Sequence, residues 1–324
     1  MKTLPIIDIS SLIAGSAGRR EAAARIGEAC RDFGFFYVNG HGVNERLQRE
    51  LEMVSRGFFA QDLETKLEIR MSRGGRAWRG YFPVGGELTS GQPDLKEGIY
   101  FGAELADTHP LVKAGALMHG PNLFPSGMPQ FRPLVLDYMN AMTRLGHSLM
   151  AGISLSLGLE ETWFADHYTS DPLILFRIFN YPPPTDSSFG VGEHTDYGLL
   201  TILKQDASGG LQVKAEGEWI DVEPVPDSLV CNVGDMLDRL TGGRFLSAPH
   251  RVQNPSEQHR LSFAFFFDPN FNAEVKPIET AGQVRDNRQE RWDNASVHEF
   301  QGTYGDYLLR KVSKVFPELG RKVL

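Results

Sequence analysis

The chain has 324 residues, and its 41 acidic side chains outnumber its 33 Lys and Arg side chains, which gives a formal net charge of −8. A hydrophobic content of 41% is that of a globular protein and excludes a disordered chain. Gly and Pro show no repeating period, which excludes a collagen or a coiled coil. The acidic balance argues against a protein that binds duplex nucleic acid.

The cellular compartment is predicted from the cysteines and the apolar runs. Cys30 and Cys231 are too few for a disulfide framework and form no CxxC pair, so we expect two reduced, buried thiols. No stretch approaches the roughly 18 uninterrupted apolar residues of a membrane span. The sequence therefore predicts a cytoplasmic protein with no nucleic-acid partner and no membrane partner, and it leaves the oligomeric state open.

The N-terminal part predicts alternating short strands and helices. Residues 4–9 are typical of a strand, residues 21–33 of an amphipathic helix, and the aromatic and β-branched residues 35–38 of a second strand. Residues 44–70 predict a second helical region. Residues 71–94 are Gly-rich and irregular, and a loop of that length in a compact domain is more often functional than idle.

A long helical stretch is predicted over residues 129–167, and the pattern then changes to short apolar runs separated by Gly, Pro, Asp and Asn. Such runs are typical of the strands of a β-sandwich or barrel. The C-terminal residues 296–315 return to a helical pattern, and we expect the helices to pack onto the β unit in one body. The predicted strands cover residues 173–179, 199–203, 211–213, 229–233 and 261–267.

Two residue types that bind metals occur at His194 and Asp196. In an extended chain, side chains two residues apart leave the same face, so this imidazole and carboxylate can share one divalent ion. Such a pair is common by chance and gains weight only with His250, which follows in the strand-rich part. Two imidazoles and one carboxylate occupy one face of an octahedron and leave three positions open. With no thiolate offered, these donors favour Fe(II).

An anion-binding residue is predicted on the strand that follows His250. Strand periodicity places Arg260 and Ser262 on one face, opposite Leu261. An Arg that points into a core is costly unless an anion pairs with it, so we expect a buried anion; the alternative is an outward-facing Arg paired with a surface acid. The planar guanidinium suits the far carboxylate of a bidentate 2-oxo acid, and Ser262 can donate a second hydrogen bond. The sequence thus predicts a metal seat and a carboxylate anchor on successive strands.

Residues 194–196, 250–252 and 260–262 resemble motifs of the iron(II)- and 2-oxoglutarate-dependent oxygenases, in the branch that includes isopenicillin N synthase. Residues 4–8, 33–43 and 180–184 resemble the same family. The resemblance covers nearly the whole chain. It implies a mainly β fold in which a double-stranded β-helix, or jelly roll, is flanked by helices. It further implies one oxygenase body over residues 1–324. Its implied parts are a mixed α/β region with a long loop over 1–120, a jelly-roll core carrying the metal site over 171–280, and a C-terminal helical segment over 281–324.

The same resemblance implies the cofactors and their ligands. Fe(II) is the implied metal, 2-oxoglutarate the co-substrate and O2 the oxidant. The implied metal ligands are His194, Asp196 and His250. The implied ligands of the distal carboxylate of 2-oxoglutarate are Arg260, Ser262 and Tyr181.

A closer resemblance is to the bacterial ethylene-forming enzyme, in residues 86–94, 241–250 and 268–271. That enzyme binds arginine beside 2-oxoglutarate, so the resemblance implies a substrate pocket. Its implied residues are Glu87, Thr89, Arg177 and Tyr197. Arg177 is interpreted either as a carboxylate anchor or as part of a structural salt bridge, and Phe266 is expected to keep the oxidising chemistry away from solvent.

The resulting hypothesis is an oxygenase that couples 2-oxoglutarate decarboxylation, with succinate as a product, to oxidation of a small molecule. Three alternatives stay open at this point. The first is an ethylene- and succinate-forming enzyme of the same type. The second is an iron oxidase of the isopenicillin N synthase type, which does not use 2-oxoglutarate. The third is a jelly-roll binding protein that retains a metal only structurally.

Overall fold

The computed structural model describes residues 3–89, 91–184, 189–279, 288–291, 294–317 and 320–321. Its helices are α1 (Ser10–Ile13), α2 (Arg19–Asp32), α3 (Glu45–Phe59), α4 (Leu63–Leu67), α5 (Pro110–Lys113), α6 (Phe131–Ser156), α7 (Trp163–His167), α8 (Asp235–Leu240) and α9 (Tyr304–Val315). Its strands are β1 (Ile6–Asp8), β2 (Phe35–Asn39), β3 (Gly80–Phe82), β4 (Leu88–Thr89), β5 (Gln92–Pro93), β6 (Glu97–Gly102), β7 (Pro172–Tyr181), β8 (Val191–His194), β9 (Leu200–Gln205), β10 (Leu211–Ala215), β11 (Glu218–Asp221), β12 (Leu229–Val233), β13 (His250–Val252) and β14 (Arg260–Asn270).

The strands form a large sheet and a small sheet that enclose a common cavity. The large sheet has the order β1-β2-β12-β9-β14-β7-β6-β3, and the small sheet has the order β11-β10-β13-β8. Side chains from β7, β9 and β14 of the large sheet and from β8, β10 and β13 of the small sheet line the same cavity. Two facing sheets of this kind form the jelly roll, so the predicted fold class is confirmed.

Strand β14 shows how the alternation of side chains builds both the cavity and the core. Every second residue of this strand lines the cavity, and the intervening aromatic residues are buried on its other face. On that second face α6 packs against the sheet, and a Cβ at Gly146 would lie 2.4 Å from the Phe267 ring. Glycine at position 146 therefore lets the helix approach the sheet. The cavity-facing residues of β14 are Arg260, Ser262, Ala264, Phe266 and Asp268.

The helix predicted over residues 21–33 is present as α2, and the other three predicted helical regions hold shorter helices than expected. The region 44–70 contains two helices, because the Asp62 side chain accepts a hydrogen bond from the Thr65 N–H and starts α4. The stretch 129–167 is divided into α6 and α7, with Gly158 at φ +76° after α6. The C-terminal helix begins only at Tyr304, where Thr303 and Asp306 form a capping box.

The prediction that residues 71–94 are irregular is wrong in part. Strand β3 pairs with β6 at the edge of the large sheet, and β4 pairs with β5 in a small hairpin. The sequence reading also missed β6, which is buried along its whole length and carries no alternation to mark it. This region therefore closes one side of the cavity, because Glu87, Thr89 and Lys96 line it.

The remaining expectations concern the two cysteines, membrane-spanning helices and the divisions of the chain. Cys30 and Cys231 are both buried and free. Within the described part of the chain, none of the helices combines the length and apolar character that a membrane span requires. The division of the chain at residues 120, 171 and 281 stays a prediction, and residues 280–287 lie outside the described residues.

Candidate metal centre and its cavity

Three predicted metal ligands meet at one end of the small sheet. His194 is the last residue of β8 and His250 the first of β13, and the antiparallel pairing of these strands sets the two residues directly opposite. Asp196 lies in the loop after β8, so it is not on an extended strand as predicted. Its Oδ1 is 4.0 Å from His194 Nε2 and 3.8 Å from His250 Nε2. One ligand atom from each residue lies within 4.8 Å of the others, as a shared metal ion requires.

Neighbouring groups aim these ligand atoms at a common point. Nδ1 of His194 lies 2.8 Å from the Gly192 carbonyl oxygen, and Nδ1 of His250 lies 3.2 Å from the Ala248 carbonyl oxygen. A carbonyl only accepts, so we assign the ring proton to Nδ1 in both residues, which leaves each Nε2 lone pair for a metal. The second oxygen of Asp196 is held by two donors, the Thr201 hydroxyl at 2.6 Å and the Asn232 amide at 2.7 Å.

The charges in the centre match the state that a divalent metal binds. Burial and the neighbouring His250 lower the pKa of His194 to about 4, against the opposing effect of Asp196. Burial alone would raise the pKa of Asp196, but the two imidazoles and its two hydrogen bonds hold that pKa below its ordinary value. At neutral pH His194 is therefore a neutral imidazole and Asp196 a carboxylate. These residues fit a divalent iron ion.

The predicted anion anchor lies across the cavity from the metal ligands. His250 on β13 and Arg260 on β14 lie on successive strands of the chain, as expected, and these two strands belong to the small and the large sheet. Arg260 is 0% exposed, and its Nε donates to the Gly209 carbonyl at 2.5 Å. Among the described residues, Nη1 and Nη2 have no hydrogen bond of good geometry, and the Tyr181 hydroxyl makes only a weak one. Two buried donors of a cation thus face a cavity, where an anion would satisfy both.

Two further predicted residues accompany this guanidinium. Tyr181 is paired with Arg260 across β7 and β14, and its ring centre lies 4.8 Å from the Arg260 guanidinium carbon. Ser262 is buried and faces the cavity from the next inward position of β14. Burial raises the pKa of Tyr181 against the opposing effects of Arg260 and Lys96, so its hydroxyl keeps its proton and can donate.

Arg177 occupies the middle of the same cavity wall. Its guanidinium carbon lies 4.1 Å from the ring centre of Tyr100 and 4.7 Å from that of Phe266, so it is held between two aromatic faces. Its Nη1 is 4.0 Å from Oε1 of Glu87. The structure therefore brings the predicted residues Arg177, Phe266 and Glu87 together, in an arrangement compatible with both sequence interpretations of Arg177.

Glu87 is part of a charged cluster that the sequence reading missed. The Lys96 ammonium lies 2.9 Å from Glu87 Oε2 and also forms an ion pair with Asp94. The Tyr100 hydroxyl donates to Glu87, and the Thr89 hydroxyl donates to Asp94 at 2.7 Å. Thr89 therefore lines the cavity, but its hydroxyl is already bonded to Asp94. The single positive charge of Lys96 neutralises only one of the two negative charges of Glu87 and Asp94.

The remaining cavity residues come from separate parts of the chain. Tyr197 follows the predicted metal ligand Asp196 and lines the cavity. The sequence reading missed Asn232, Thr201, Asp268 and Tyr304. A polar residue within an apolar strand, such as Asn232 in β12, was the available signal for a buried polar role.

Comparisons with known proteins agree with this architecture. Residues 4–127 match the family described as "non-haem dioxygenase in morphine synthesis N-terminal", and residues 170–269 match the 2OG-Fe(II) oxygenase superfamily. The chain is 47% identical to a Dictyostelium discoideum protein named "Probable iron/ascorbate oxidoreductase", over 100% of this chain and 98% of that one. It is 38% identical to the 1-aminocyclopropane-1-carboxylate oxidase of the same organism, over 98% and 96% of the two chains.

Two more comparisons extend this result. The chain is 36% identical to a homoarginine-6-hydroxylase of Arabidopsis thaliana, over 97% of this chain and 98% of that one. A crystal structure of a Neurospora crassa protein in complex with alpha-KG and thymine superposes with a TM-score of 0.79 at 26% identity, covering 96% of each chain. Fold and site define a non-haem iron dioxygenase. The chain belongs to the 2OG-Fe(II) oxygenase superfamily, and it uses Fe(II), 2-oxoglutarate and O2 to oxidise a small molecule.

Proposed function

We propose that His194, Asp196 and His250 hold the iron, and that Arg260, Ser262 and Tyr181 hold the distal carboxylate of 2-oxoglutarate. The observation that carries this proposal is the Arg260 guanidinium, fully buried with two donors that have no hydrogen bond of good geometry among the described residues, across the cavity from three metal-ligand atoms. When bound, the metal and co-substrate supply the O2-dependent chemistry of the family, with succinate and carbon dioxide as products.

The protein itself orients these groups and keeps water away. Thr201 and Asn232 fix one oxygen of Asp196, so the other is presented to the metal. Phe266 and other apolar side chains line the same cavity as His194, Asp196, His250 and Arg260. A dry wall of this kind strengthens the interaction of Arg260 with a carboxylate and limits side reactions.

We further propose that the primary substrate is an α-amino acid with a cationic side chain. Arg177 offers a carboxylate anchor, and Glu87, next to Thr89 and Lys96 in the cavity wall, offers a carboxylate for a cation. Tyr197 lines the same cavity. The names of two relatives support an α-amino acid, since 1-aminocyclopropane-1-carboxylate and homoarginine both belong to that class, and homoarginine also has a cationic side chain.

The test is a substrate screen on the purified protein with Fe(II), ascorbate and 2-oxoglutarate, in which succinate and O2 uptake are measured. L-Arginine, L-homoarginine and 1-aminocyclopropane-1-carboxylate are compared with thymine as a substrate that is not an amino acid. We expect an α-amino acid to raise succinate release above the substrate-free rate. Stimulation by thymine alone would contradict the proposed substrate class.

Other outcomes of the same screen separate the alternatives. Ethylene in the headspace would assign the ethylene-forming type of chemistry. O2 uptake that does not depend on added 2-oxoglutarate would favour an oxidase of the isopenicillin N synthase type. Zinc retention without any O2 uptake would favour a binding protein.

A cytoplasmic location without a membrane partner stays our proposal from the two cysteines and the short apolar runs. The absence of a nucleic-acid partner stays our proposal from the net charge of −8. Fractionation of cells that produce the protein at its native level would test this location, and recovery in a membrane fraction would contradict it.

A further inference from the structure

A buried carboxylate lies at the opposite end of the cavity wall from Arg260. Asp268 is 2% exposed and follows the aromatic run of β14, on the same strand face as Arg260 and Phe266. The eight-residue separation between Asp268 and Arg260 corresponds to about 26 Å of strand, so the two residues serve different ends of the cavity. The site described so far gives Asp268 no role.

Only one of the two oxygens of this carboxylate has a hydrogen bond of good geometry. Oδ2 accepts a hydrogen bond from the Tyr304 hydroxyl at the start of α9. Oδ1 has no hydrogen-bond partner among the described residues, although it lies against Gly198, where a Cβ would be 1.5 Å from it. Gly198, Tyr304 and Asp268 all line the cavity. An acceptor oxygen is thus buried at the wall of a ligand cavity without a well-placed donor.

No basic side chain among the described residues forms an ion pair with Asp268, although Arg177 is near enough to affect it. Burial and the charge of Asp196 raise the pKa of Asp268 to about 7, against the lowering effects of the Tyr304 hydroxyl, Arg177 and a weak hydrogen bond from the Leu199 N–H. Because burial disfavours the charged form of Asp268, a cation that binds next to it stabilises the carboxylate. The electrostatics therefore favour a cationic ligand group at Oδ1.

Arg177 lies on the strand next to Asp268, so the two residues can bind neighbouring groups of one ligand. In the pairing of β7 with β14, Arg177 is opposite Ala264, and Asp268 is opposite Leu173. The Arg177 guanidinium lies over the Phe266 ring, which is two residues closer to Asp268 along β14. Arg177 therefore leans along the wall toward Asp268. A cationic anchor and an anionic anchor then lie on the adjacent strands β7 and β14, and the Phe266 ring packs against the Arg177 guanidinium.

We propose that Asp268, oriented by Tyr304, accepts the α-ammonium group of the amino acid whose carboxylate binds Arg177. This inference rests on the proposed function, because it requires an α-amino acid substrate. An α-amino acid carries its ammonium and carboxylate on one carbon, so two opposite charges on neighbouring positions of the wall select it over the corresponding des-amino acid. Asp268 is then a specificity-determining residue, and Tyr304 is the positioning residue that fixes it.

The test is binding of L-homoarginine and of its des-amino analogue, 6-guanidinohexanoate, to anaerobic protein loaded with Fe(II) and 2-oxoglutarate. Calorimetry gives both dissociation constants without turnover. We expect the wild-type protein to bind L-homoarginine more tightly, on the order of 10 to 100-fold, as for a hydrogen bond between charged groups. Asp268→Asn keeps the size of the side chain and should remove most of that preference, while binding of the analogue changes little.

Two controls separate this role from a purely structural one. Affinity for 2-oxoglutarate should be unchanged in Asp268→Asn, because Arg260 is at the other end of β14. Tyr304→Phe keeps the carboxylate but removes its orienting donor, so it should lower the preference by a smaller factor. If Asp268→Asn fails to fold, a loss of preference in Tyr304→Phe supports the inference, and an unchanged preference overturns it.

The remaining outcomes are equally decisive. An Asp268→Asn protein that binds both ligands with the wild-type preference overturns the inference. Equal weakening of both ligands overturns it as well, since that result indicates a general disturbance of the pocket. If wild-type protein turns over 2-oxoglutarate but binds no α-amino acid, this inference and the substrate class fail while the iron and 2-oxoglutarate assignments stand.

Discussion

Two buried arginines border the candidate metal centre and its cavity, and among the described residues only one of them is paired with a carboxylate. Arg291 is 5% exposed, and its guanidinium forms two hydrogen bonds of 2.8 and 2.9 Å with the two oxygens of Asp235. It also donates at 3.0 Å to the Thr195 hydroxyl, in the residue between His194 and Asp196. Arg260 has the same chemistry and full burial, but within the described residues no carboxylate bonds to it.

This difference indicates a structural role for Arg291 and a ligand-binding role for Arg260. A buried guanidinium with a matched carboxylate needs no further partner, so Arg291 supports the loop of the metal ligands. The backbone N–H of Asp235 also donates to the Asp196 carbonyl at 2.8 Å, which ties the same loop from a second side. A buried guanidinium without a carboxylate is costly in the ligand-free protein, so Arg260 is expected to recover that cost when an anionic ligand binds.

We expect the largest change in stability when the ion pair between Arg291 and Asp235 is removed. Arg291→Gln leaves Asp235 buried without its cation and should lower the free energy of unfolding by about 3–5 kcal/mol. Urea denaturation followed by circular dichroism measures this change. Arg49→Gln, which removes an exposed ion pair with Glu45, is the control and should change stability by less than about 1 kcal/mol. A loss no larger than in this control would contradict a structural role for Arg291.

The next effect concerns the unpaired arginine. Arg260→Gln should weaken 2-oxoglutarate binding by a factor on the order of 100 to 1,000, because a charged partner of the buried carboxylate is lost. The free energy of unfolding without 2-oxoglutarate should stay the same or rise. Calorimetry on Mn(II)-loaded protein measures the affinity, and Arg291→Gln that remains folded should keep it. Wild-type affinity in Arg260→Gln would remove the proposed anchor.

The ion pair between Asp235 and Arg291 should also make the stability of the protein depend on pH. Burial alone would raise the pKa of Asp235, but Arg291 and Tyr307 outweigh it and lower that pKa to about 2, from an ordinary value of 3.8. Because the folded pKa is the lower one, the stabilisation is complete above pH 3.8 and is lost as the pH falls toward 2. It amounts to about 2 kcal/mol. Urea titrations at several acidic pH values should show this loss in the wild type, and an equal loss in Asp235→Asn would assign it to other groups.

The smallest expected effect concerns the support of a metal ligand. Asn232→Ala removes the amide that holds Oδ2 of Asp196 and should weaken Mn(II) binding by about 10 to 100-fold. A titration followed by electron paramagnetic resonance measures this affinity. Asn44→Ala removes a helix cap far from the site and should change stability without changing metal affinity. Equal metal affinities in the two variants would show that Asp196 does not need its amide partner.

Most of the core strands and the candidate ligands could be predicted from local patterns. The alternation in β14 placed Arg260 and Ser262 on one face, and the aromatic run after them marked a buried strand. The fold class was recoverable because the short apolar runs recur at strand-like intervals. The helix ends and the edge strands were less predictable, since β6 has no alternation and α9 depends on a cap at Thr303.

The amino-acid sequence shows which residue types are available for the metal, the anion and the cavity wall. Which of these residues lie next to each other depends on the fold. His194 faces His250 through the register of β8 with β13, and Asp268 meets Tyr304 where a helix 36 residues later returns to the sheet. Alternation along a strand is a local property of the backbone, whereas a partner across sheets depends on how the whole chain closes around the cavity.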